Sequence, residues 1–302
     1  MSARRSVRIT PALLRRMPLP SADGAEGKEA RGCVLVVGGS DEIPGAAILA
    51  ALAALRAGAG KLQIATTRRV APWVAVAVPE ARVIGLPAGR GGELAVGACE
   101  ALRREVNACD ALLVGPGMVD GRAATALLRR CAAAERSPPV IVDAGALELF
   151  DGRRRPSSAK RSPIILTPHA GEMASLWKIS KARVLANPMV AAQQAAARLG
   201  AVVALKGART YVAAPDGATF HNTAGNIGLG TSGSGDTLSG IIAGLCARGA
   251  DPLHAAVWGV YLHACAGDAL ARQMGPYGFL ARELLGEIPR LLARFGPKRR
   301  TF

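Results

Sequence analysis

The loop Gly233-Ser234-Gly235-Asp236 places a single carboxylate among glycines and is the segment of this sequence best suited to chemistry. Apolar residues at helical spacing follow from Leu238 to Leu245, so the loop lies where a helix begins. A helix start leaves backbone N–H groups unpaired, and glycines let an anion approach them closely. The pattern predicts a phosphate or oxyanion site with Asp236 at its rim, its pKa lowered by the helix start. The alternative is a glycine-rich loop in which Asp236 only caps the helix.

Other polar or glycine-rich motifs follow apolar runs elsewhere in the chain. They are VGG at 37–39, GPG at 115–117, DAG at 143–145, TPHAGE at 167–172 and KGART at 206–210. Ligands of open α/β sheets bind beyond the carboxyl ends of the strands, so we expect these motifs to meet at one edge. Asp143 would there orient water or magnesium, or only cap a turn.

The elements that must position these motifs alternate between strands and helices. Buried strands are predicted at 34–37, 111–114 and 201–205, an Ala/Leu-rich helix at 45–56, and an antiparallel hairpin in TYVAAPDGATF at 210–220. The alternation predicts an α/β fold with a mostly parallel central sheet and helices on both faces. We expect an N-terminal arm at 1–30 and a single domain at 31–302.

Composition excludes several classes of protein. The six cysteines form no CxxC pair and the four histidines have no ligand spacing, so no metal site made of protein ligands is predicted. No segment has the length of a membrane span or the pattern of a signal peptide, which favours a cytoplasmic protein with reduced thiols. The net charge of +16 is concentrated at the two ends and at 153–161. With only 4% aromatic residues and no recognition motif, we expect no nucleic-acid partner.

The order of these motifs resembles one known family over nearly the whole chain. The segments GGS, GAAILAALAALRAGAG, VGPG, VDAGAL, LTPHAGE, LKGART, NTAGN and GSGDTLSGIIAGL are similar to those of the ADP-dependent NAD(P)H-hydrate dehydratases. This resemblance implies the three-layer ribokinase-like fold. The family often carries a fused epimerase domain, for which 302 residues leave no room, so we expect the stand-alone dehydratase.

The resemblance also implies a repair reaction. The S forms of NADHX and NADPHX, which are hydrated nicotinamide cofactors, are dehydrated to NADH and NADPH. ADP, or ATP in some members, donates its terminal phosphate, with Mg2+ as the expected metal cofactor. A homo-oligomer, a tetramer by the same resemblance, is expected. The alternative is a ribokinase-like kinase that phosphorylates a small molecule such as a vitamin precursor.

The resemblance carries roles onto individual residues of this chain. Asp236 would be the general base that accepts the proton of the ring hydroxyl. The predicted anion hole consists of Gly233, Ser234 and Gly235. The predicted nucleotide contacts are Lys206, Gly207, Ala208, Arg209, Thr210 and Gly235. The predicted contacts of the hydrated cofactor are Ala46, Ala47, Gly117, His169 and Asp236.

Some of these residues also have simpler interpretations, and two segments depart from the family pattern. Lys206 could be a surface lysine, His169 a structural loop histidine, and Gly117 a turn residue. Ser232 stands where the family usually has glycine, which bears on the geometry of the anion hole. Met118 and Val119 replace the usual Leu-Gly after VGPG and leave their contact with the cofactor open.

Overall fold

The computed structural model describes residues 5–20, 27–119, 121–132, 137–150 and 162–295. The basic clusters at 153–161 and 298–300 lie outside these residues. Within the described part, ten strands form one sheet in the order β1-β10-β9-β8-β7-β6-β5-β2-β3-β4. The strands are β1 (Val7–Arg8), β2 (Cys33–Val37), β3 (Lys61–Thr67), β4 (Arg82–Leu86), β5 (Ala111–Val114), β6 (Val140–Val142), β7 (Ile164–Leu166), β8 (Val202–Leu205), β9 (Thr210–Ala213) and β10 (Thr219–Asn222).

Neighbouring strands are parallel except where β9 pairs with β8 and β10. The prediction of a mostly parallel sheet is therefore confirmed, as is the hairpin formed by β9 and β10. Gly217 has a φ of 91° in the hairpin turn, where the Ala218 N–H donates to the Asp216 carboxylate at 2.8 Å. Because β10 turns back beside β9, its carboxyl end lies at the same edge of the sheet as those of the parallel strands.

Helices cover both faces of the sheet. They are α1 (Pro11–Arg15), α2 (Pro44–Arg56), α3 (Ala71–Ala77), α4 (Arg103–Ala108), α5 (Arg122–Ala132), α6 (Ala170–Trp177), α7 (Lys181–Ala186), α8 (Pro188–Leu199), α9 (Ser234–Ala247), α10 (Pro252–Met274) and α11 (Ala281–Ala293). Short 3-10 turns occur at Glu29–Arg31, Val96–Leu102, Ala144–Phe150 and Ile227–Leu229. The arrangement is the predicted three-layer α/β fold.

Two apolar cores lie on opposite faces of the sheet. Along β2, Val34 and Val36 point into the core shared with α2, α9, α10 and α11, while Leu35 and Val37 point into the core shared with α5, α6 and α8. Alternate residues of a strand point to opposite faces, so a strand covered on both sides needs a continuous apolar run. This explains why CVLVV contains no polar residue.

Helices α2 and α9 pack side by side and in parallel because both present small residues. A Cβ atom at Gly240 would collide with the Ala50 carbonyl oxygen, and one at Gly244 with that of Ala54. The alanines of α2 and the glycines of α9 thus bring the two backbones together. This packing fixes the N-termini of both helices at the same edge of the sheet.

The N-terminal segment packs onto the rest of the fold. Strand β1 pairs in parallel with β10, and the Ile9 N–H donates to the His221 carbonyl at 2.8 Å. Leu14 of α1 is buried in the core, and the Trp258 Nε1–H donates to the Met17 carbonyl at 2.7 Å. Within the described residues, no helix is both long and apolar enough to cross a membrane.

Candidate active site

The motifs predicted from the sequence meet at the carboxyl edge of the sheet. Strands β8, β7, β6, β5 and β2 are consecutive neighbours, and the residues that follow them therefore form one row. That row runs from Lys206 through His169, Asp143 and Gly117 to Gly39. We call Asp143, Glu172, Lys206 and Asp236 the charged half of the site. Gly39, Ala46, Ala47 and Gly117 form the glycine-lined half.

Asp236 lies in the first turn of α9 but does not cap it. The N-cap is Gly233, whose φ of 85° is left-handed, and it offers the helix no side-chain acceptor. A Cβ at Gly233 would also collide with Leu49. Asp236 is the third helical residue, so the interpretation of Asp236 as a mere N-cap is wrong. The uncapped first turn leaves backbone N–H groups open to an anion.

The pKa of Asp236 is raised to about 7, opposite to the predicted direction. Burial is the largest cause, and the nearby charges of Asp143 and Glu172 add to it. Lys206 and the backbone N–H of Asp236 itself act in the other direction without outweighing burial. A general base works best with a pKa near the pH of the reaction, and Asp236 meets that condition.

Lys206 is the centre of the charged half. It follows β8, and its Nζ lies 3.0 Å from Asp143 Oδ1 and 3.7 Å from Glu172 Oε2. The side chain is only 19% exposed, so Lys206 is not a surface lysine. Burial acts to lower the pKa of Lys206, but Asp143 and Glu172 raise it overall, so the ammonium stays charged. A Cβ at Gly235 would lie 3.1 Å from Nζ, which places this charge beside the GSGD loop.

The 2% exposed carboxylate of Asp143 is the ion-pair partner of Lys206. Glu172 was not singled out from the sequence, although the capping pattern in TPHAGE contains it. Among the described residues, no cluster of three or more His, Cys, Asp or Glu side chains could hold a metal ion.

His169 caps α6 and also faces the site. Its Nδ1 accepts from the N–H groups of Gly171 at 2.9 Å and Glu172 at 3.1 Å, while its own N–H donates to Glu172 Oε2 at 2.7 Å. This reciprocal pattern is a capping box. Because Nδ1 accepts, the proton of the neutral ring lies on Nε2. The side chain is 58% exposed, and Nε2 lies 3.6 Å from Glu172 Oε1.

The glycine-lined half is built from backbone in close contact. The Gly39 N–H donates to the Pro116 carbonyl at 2.7 Å, and Gly39 and Gly117 have φ values of 74° and 72°. A Cβ at Gly117 would collide with the Ile43 carbonyl and lie 3.2 Å from the Ala46 Cβ. Gly117 therefore meets both the loop after β2 and the start of α2, where Ala46 and Ala47 lie.

A cavity of about 560 Å³ adjoins the charged half. Its lining consists of Ala170, Val184, Leu185, Pro188, Leu205, Lys206, Gly207, Ala208, Arg209, Tyr211 and Thr223. Most of the KGART segment thus faces this cavity, and the Thr210 hydroxyl closes that turn by donating to the Gly207 carbonyl at 3.3 Å. Apolar walls with one basic end suit a nucleotide, with its base on the walls and its phosphates toward Lys206.

Comparison with known proteins decides the family. Residues 34–290 match the family model described as NAD(P)H-hydrate dehydratase. The chain is 50% identical over 286 residues to the ADP-dependent (S)-NAD(P)H-hydrate dehydratase of Xanthomonas campestris, covering 95% of this chain and 96% of that protein. This chain belongs to the NAD(P)H-hydrate dehydratase family.

Of two further relatives, one is much longer than this chain and the other matches it over its whole length. The bifunctional NAD(P)H-hydrate repair enzyme Nnr of Moorella thermoacetica is 39% identical, over 94% of this chain but only 54% of that protein. A crystal structure of the ADP/ATP-dependent NAD(P)H-hydrate dehydratase from Bacillus subtilis, co-crystallized with ATP/Mg2+, superposes with a TM-score of 0.82. It is 32% identical, and the match covers 97% of this chain and 100% of that one.

The two departures from the family pattern have simple structural explanations. Ser232 is exposed and its φ is not positive, so the anion-hole loop accommodates its Cβ without strain. Met118 is buried at 5% exposure in the core on the α5 face. Val119 is 58% exposed, and its N–H donates to Glu93 Oε2 at 3.3 Å.

Sequence reasoning missed the residues behind the GSGD loop. The Ser234 hydroxyl is buried and lies 2.9 Å from His263 Nε2 of α10, while the Ser234 N–H donates to the Thr231 carbonyl at 3.2 Å. Ser234, predicted as part of the anion hole, thus has both polar groups engaged within the protein. The half-buried start of the helix at Gly235 and Asp236 is the better candidate for anion contact.

Proposed function

We propose that this protein is an ADP-dependent (S)-NAD(P)H-hydrate dehydratase that restores NADH and NADPH from their hydrates. The observation that carries the proposal is the half-buried carboxylate of Asp236 at the open N-terminus of α9, beside the ammonium of Lys206. Its pKa of about 7 suits a base that must take a proton and release it in each cycle. Family membership supplies the substrate to which this chemistry applies.

The reaction converts the ring hydroxyl, which is a poor leaving group, into a phosphate, which is a good one. Asp236 takes the proton of the ring hydroxyl while the oxygen of that hydroxyl attacks the terminal phosphorus of ADP. The bond between this phosphorus and the oxygen of the departing AMP breaks. The ring nitrogen then expels phosphate, and loss of a proton from the neighbouring carbon restores the dihydropyridine. Backbone N–H groups at the start of α9 stabilise the charge on the transferring phosphoryl group.

The nucleotide is placed in the cavity beside the KGART segment. Its phosphates extend toward Lys206 and Gly235, where the ammonium and the helix N-terminus both favour negative charge. Mg2+ bound with a nucleotide normally keeps waters and takes only one or two carboxylates, so the lack of a cage of three acidic side chains among the described residues fits it. Asp143 and Glu172 would supply those oxygens, and the ion would neutralise phosphate charge.

The hydrated cofactor is placed over the glycine-lined half. The close packing of Gly39 and Gly117 fixes the backbone against which the cofactor would lie. By the family resemblance His169 would contact this cofactor, and Asp236 would meet the ring hydroxyl from the charged half. We also infer a homotetramer in the cytoplasm, in keeping with the family resemblance and with the free thiols of the described cysteines.

The deciding experiment incubates the purified protein with NADHX, ADP and Mg2+ and follows NADH absorbance. The proposal requires NADH, AMP and phosphate in equal amounts. Omission of nucleotide serves as the control, and replacing ADP with ATP measures the nucleotide preference. A phosphorylated product that accumulates without NADH would instead identify a ribokinase-like kinase.

A further inference from the structure

Helix α10 supports the segment 225–234, which leads from β10 to the GSGD loop. At its far end the buried hydroxyl of Ser234 lies 2.9 Å from His263 Nε2. The two residues are 5% and 9% exposed, so this hydrogen bond is shielded from water. A buried hydrogen bond is costly to leave half-made, and the pair therefore fixes where α9 begins.

The near end of the segment is held by the next turn of the same helix. Asp268 Oδ2 accepts from the Gly225 N–H at 2.9 Å, and Oδ1 accepts from Asn226 Nδ2 at 3.0 Å. Between these points Gly267 leaves space for Leu229, because a Cβ there would lie 2.6 Å from that side chain. His263 and Gly267 are spaced i and i+4 and therefore share one side of α10, and Asp268 directly follows Gly267.

His263 is well suited to a structural hydrogen bond beside a cationic site. Burial lowers its pKa to about 4, and the charge of Lys206 contributes in the same direction. The ring is therefore neutral at the pH where Asp236 changes its charge. A neutral partner fixes Ser234 without adding a second positive charge behind the phosphate site.

We propose that His263 and Asp268 are positioning residues, which clamp the two ends of segment 225–234 and thereby set the register of the anion hole and of Asp236. The proposal rests on the proposed function, because it assigns the clamp to transfer of the terminal phosphate. Neither residue needs to touch substrate. A displacement of about 1 Å at this distance from the chemistry can cost about 100-fold in rate.

The comparison of ADP with AMP separates this role from general scaffolding. AMP lacks the terminal phosphate, so it does not use the anion hole. Loosening the clamp should therefore weaken ADP binding and leave AMP binding unchanged. A loss of overall folding would instead weaken both nucleotides together.

The test is His263→Leu, which removes the hydrogen bond while keeping an apolar side chain in the core. We expect kcat to fall about 10- to 100-fold, and the ratio of ADP to AMP affinity, measured by calorimetry, to fall as well. His263→Gln, whose amide reaches about as far as Nε2, should recover most of the kcat and most of the ratio of ADP to AMP affinity. His254→Leu, the same change near the start of α10, is the matched control and should leave both unchanged.

Ser234→Ala breaks the same hydrogen bond from the other side and serves if His263→Leu does not fold. In the double variant kcat should be no lower than in the worse single variant, because both changes remove one interaction. Unchanged kcat and unchanged nucleotide ratio in a folded single variant would overturn the proposal, as would equal weakening of ADP and AMP. The binding ratio remains informative even if the wild-type protein forms no NADH, an outcome that would reject only the dehydratase function.

Discussion

The two halves of the site are built on different physical principles. In the glycine-lined half, backbone meets backbone, and a Cβ at Gly117 would collide with the Ile43 carbonyl. In the charged half, three carboxylates surround one ammonium, and burial is the largest cause of the raised pKa of Asp236. The first half should therefore be sensitive to volume and the second to charge. Changes that alter only one of these two properties test the division.

The largest effect is expected from Asp236→Asn, which removes charge at constant volume. Turnover should fall by about 10²–10⁴, the range for loss of a positioned base. Asp236 is not the helix cap, and its ionised form is disfavoured by burial, so above pH 7 the melting temperature should stay the same or rise. NADH formation measures the turnover, and thermal melting measures the stability. Near-normal turnover would rule out the proposed base.

The pKa of Asp236 predicts a pH profile. Because the base must be ionised, kcat/KM should fall about tenfold per pH unit below about 7. The folded-state pKa is raised above the reference of 3.8, so the stability that Asp236 contributes is full below 3.8 and is lost as pH rises through about 7. Asp236→Asn should abolish this component of the pH dependence of stability. An acid limb that persists unchanged in the residual activity of the variant would assign it to another group.

Lys206→Met keeps much of the side-chain volume and removes the positive charge. A charge-assisted hydrogen bond is worth about 1.5–3 kcal/mol, so ADP affinity should fall about 10- to 150-fold. Asp143 would be left buried and unpaired in this variant, which typically costs about 3–5 kcal/mol of folding stability. Adding Asp143→Asn should restore the melting temperature but not ADP affinity, as calorimetry would show. ADP affinity unchanged in the double variant would place the nucleotide elsewhere.

Gly117→Ala adds volume without charge. The clash with Ile43 and the φ of 72° should cost about 1–3 kcal/mol of unfolding free energy and raise the KM for NADHX more than that for ADP. Gly45→Ala is the control, since a Cβ there meets no atom within 4 Å. This change should raise the free energy of unfolding by about 0.4–1 kcal/mol. Equal behaviour of the two variants in melting and kinetics would remove the argument from close packing.

The smallest effect is expected at His169, where a cap and a ligand contact coincide. His169→Asn keeps a good N-cap and removes the ring, so stability should change little. Loss of one neutral hydrogen bond, about 0.5–1.5 kcal/mol, should raise the KM for NADHX about 2- to 13-fold. The KM for ADP should not change. A rise confined to ADP would contradict the assignment of His169 to the cofactor side.

The sequence predicted what depends on local patterns. Alternating apolar runs indicated the parallel sheet, and motifs at strand ends indicated the edge where Gly117, Asp143, His169 and Lys206 meet. Both follow from periodicity and from the geometry common to open α/β sheets. The placement of these residues as one row is confirmed, while their individual roles toward ligands stay predictions.

What the sequence missed depends on contacts between distant parts of the chain. The helix-start argument correctly placed Asp236 in a first turn, but burial and Asp143 reverse the predicted direction of its pKa shift. His263 stands among alanines, and the sequence does not show that it has a polar partner. Its hydrogen bond to Ser234 becomes visible only when α10 is packed against α9. Glu172 carries a local signal, the capping box, and could have been found.

The N-terminal segment has a consequence for how the molecule is made. The Met17 carbonyl is bound by Trp258, 241 residues further along the chain, and Ile9 is bound by His221. At about 5–20 residues per second, a ribosome needs about 10–50 s to reach Trp258 after making Met17. The Met17 carbonyl must therefore wait until Trp258 has been synthesised before it is bound. Protease protection of this segment on stalled nascent chains would thus mark completion of the whole sheet.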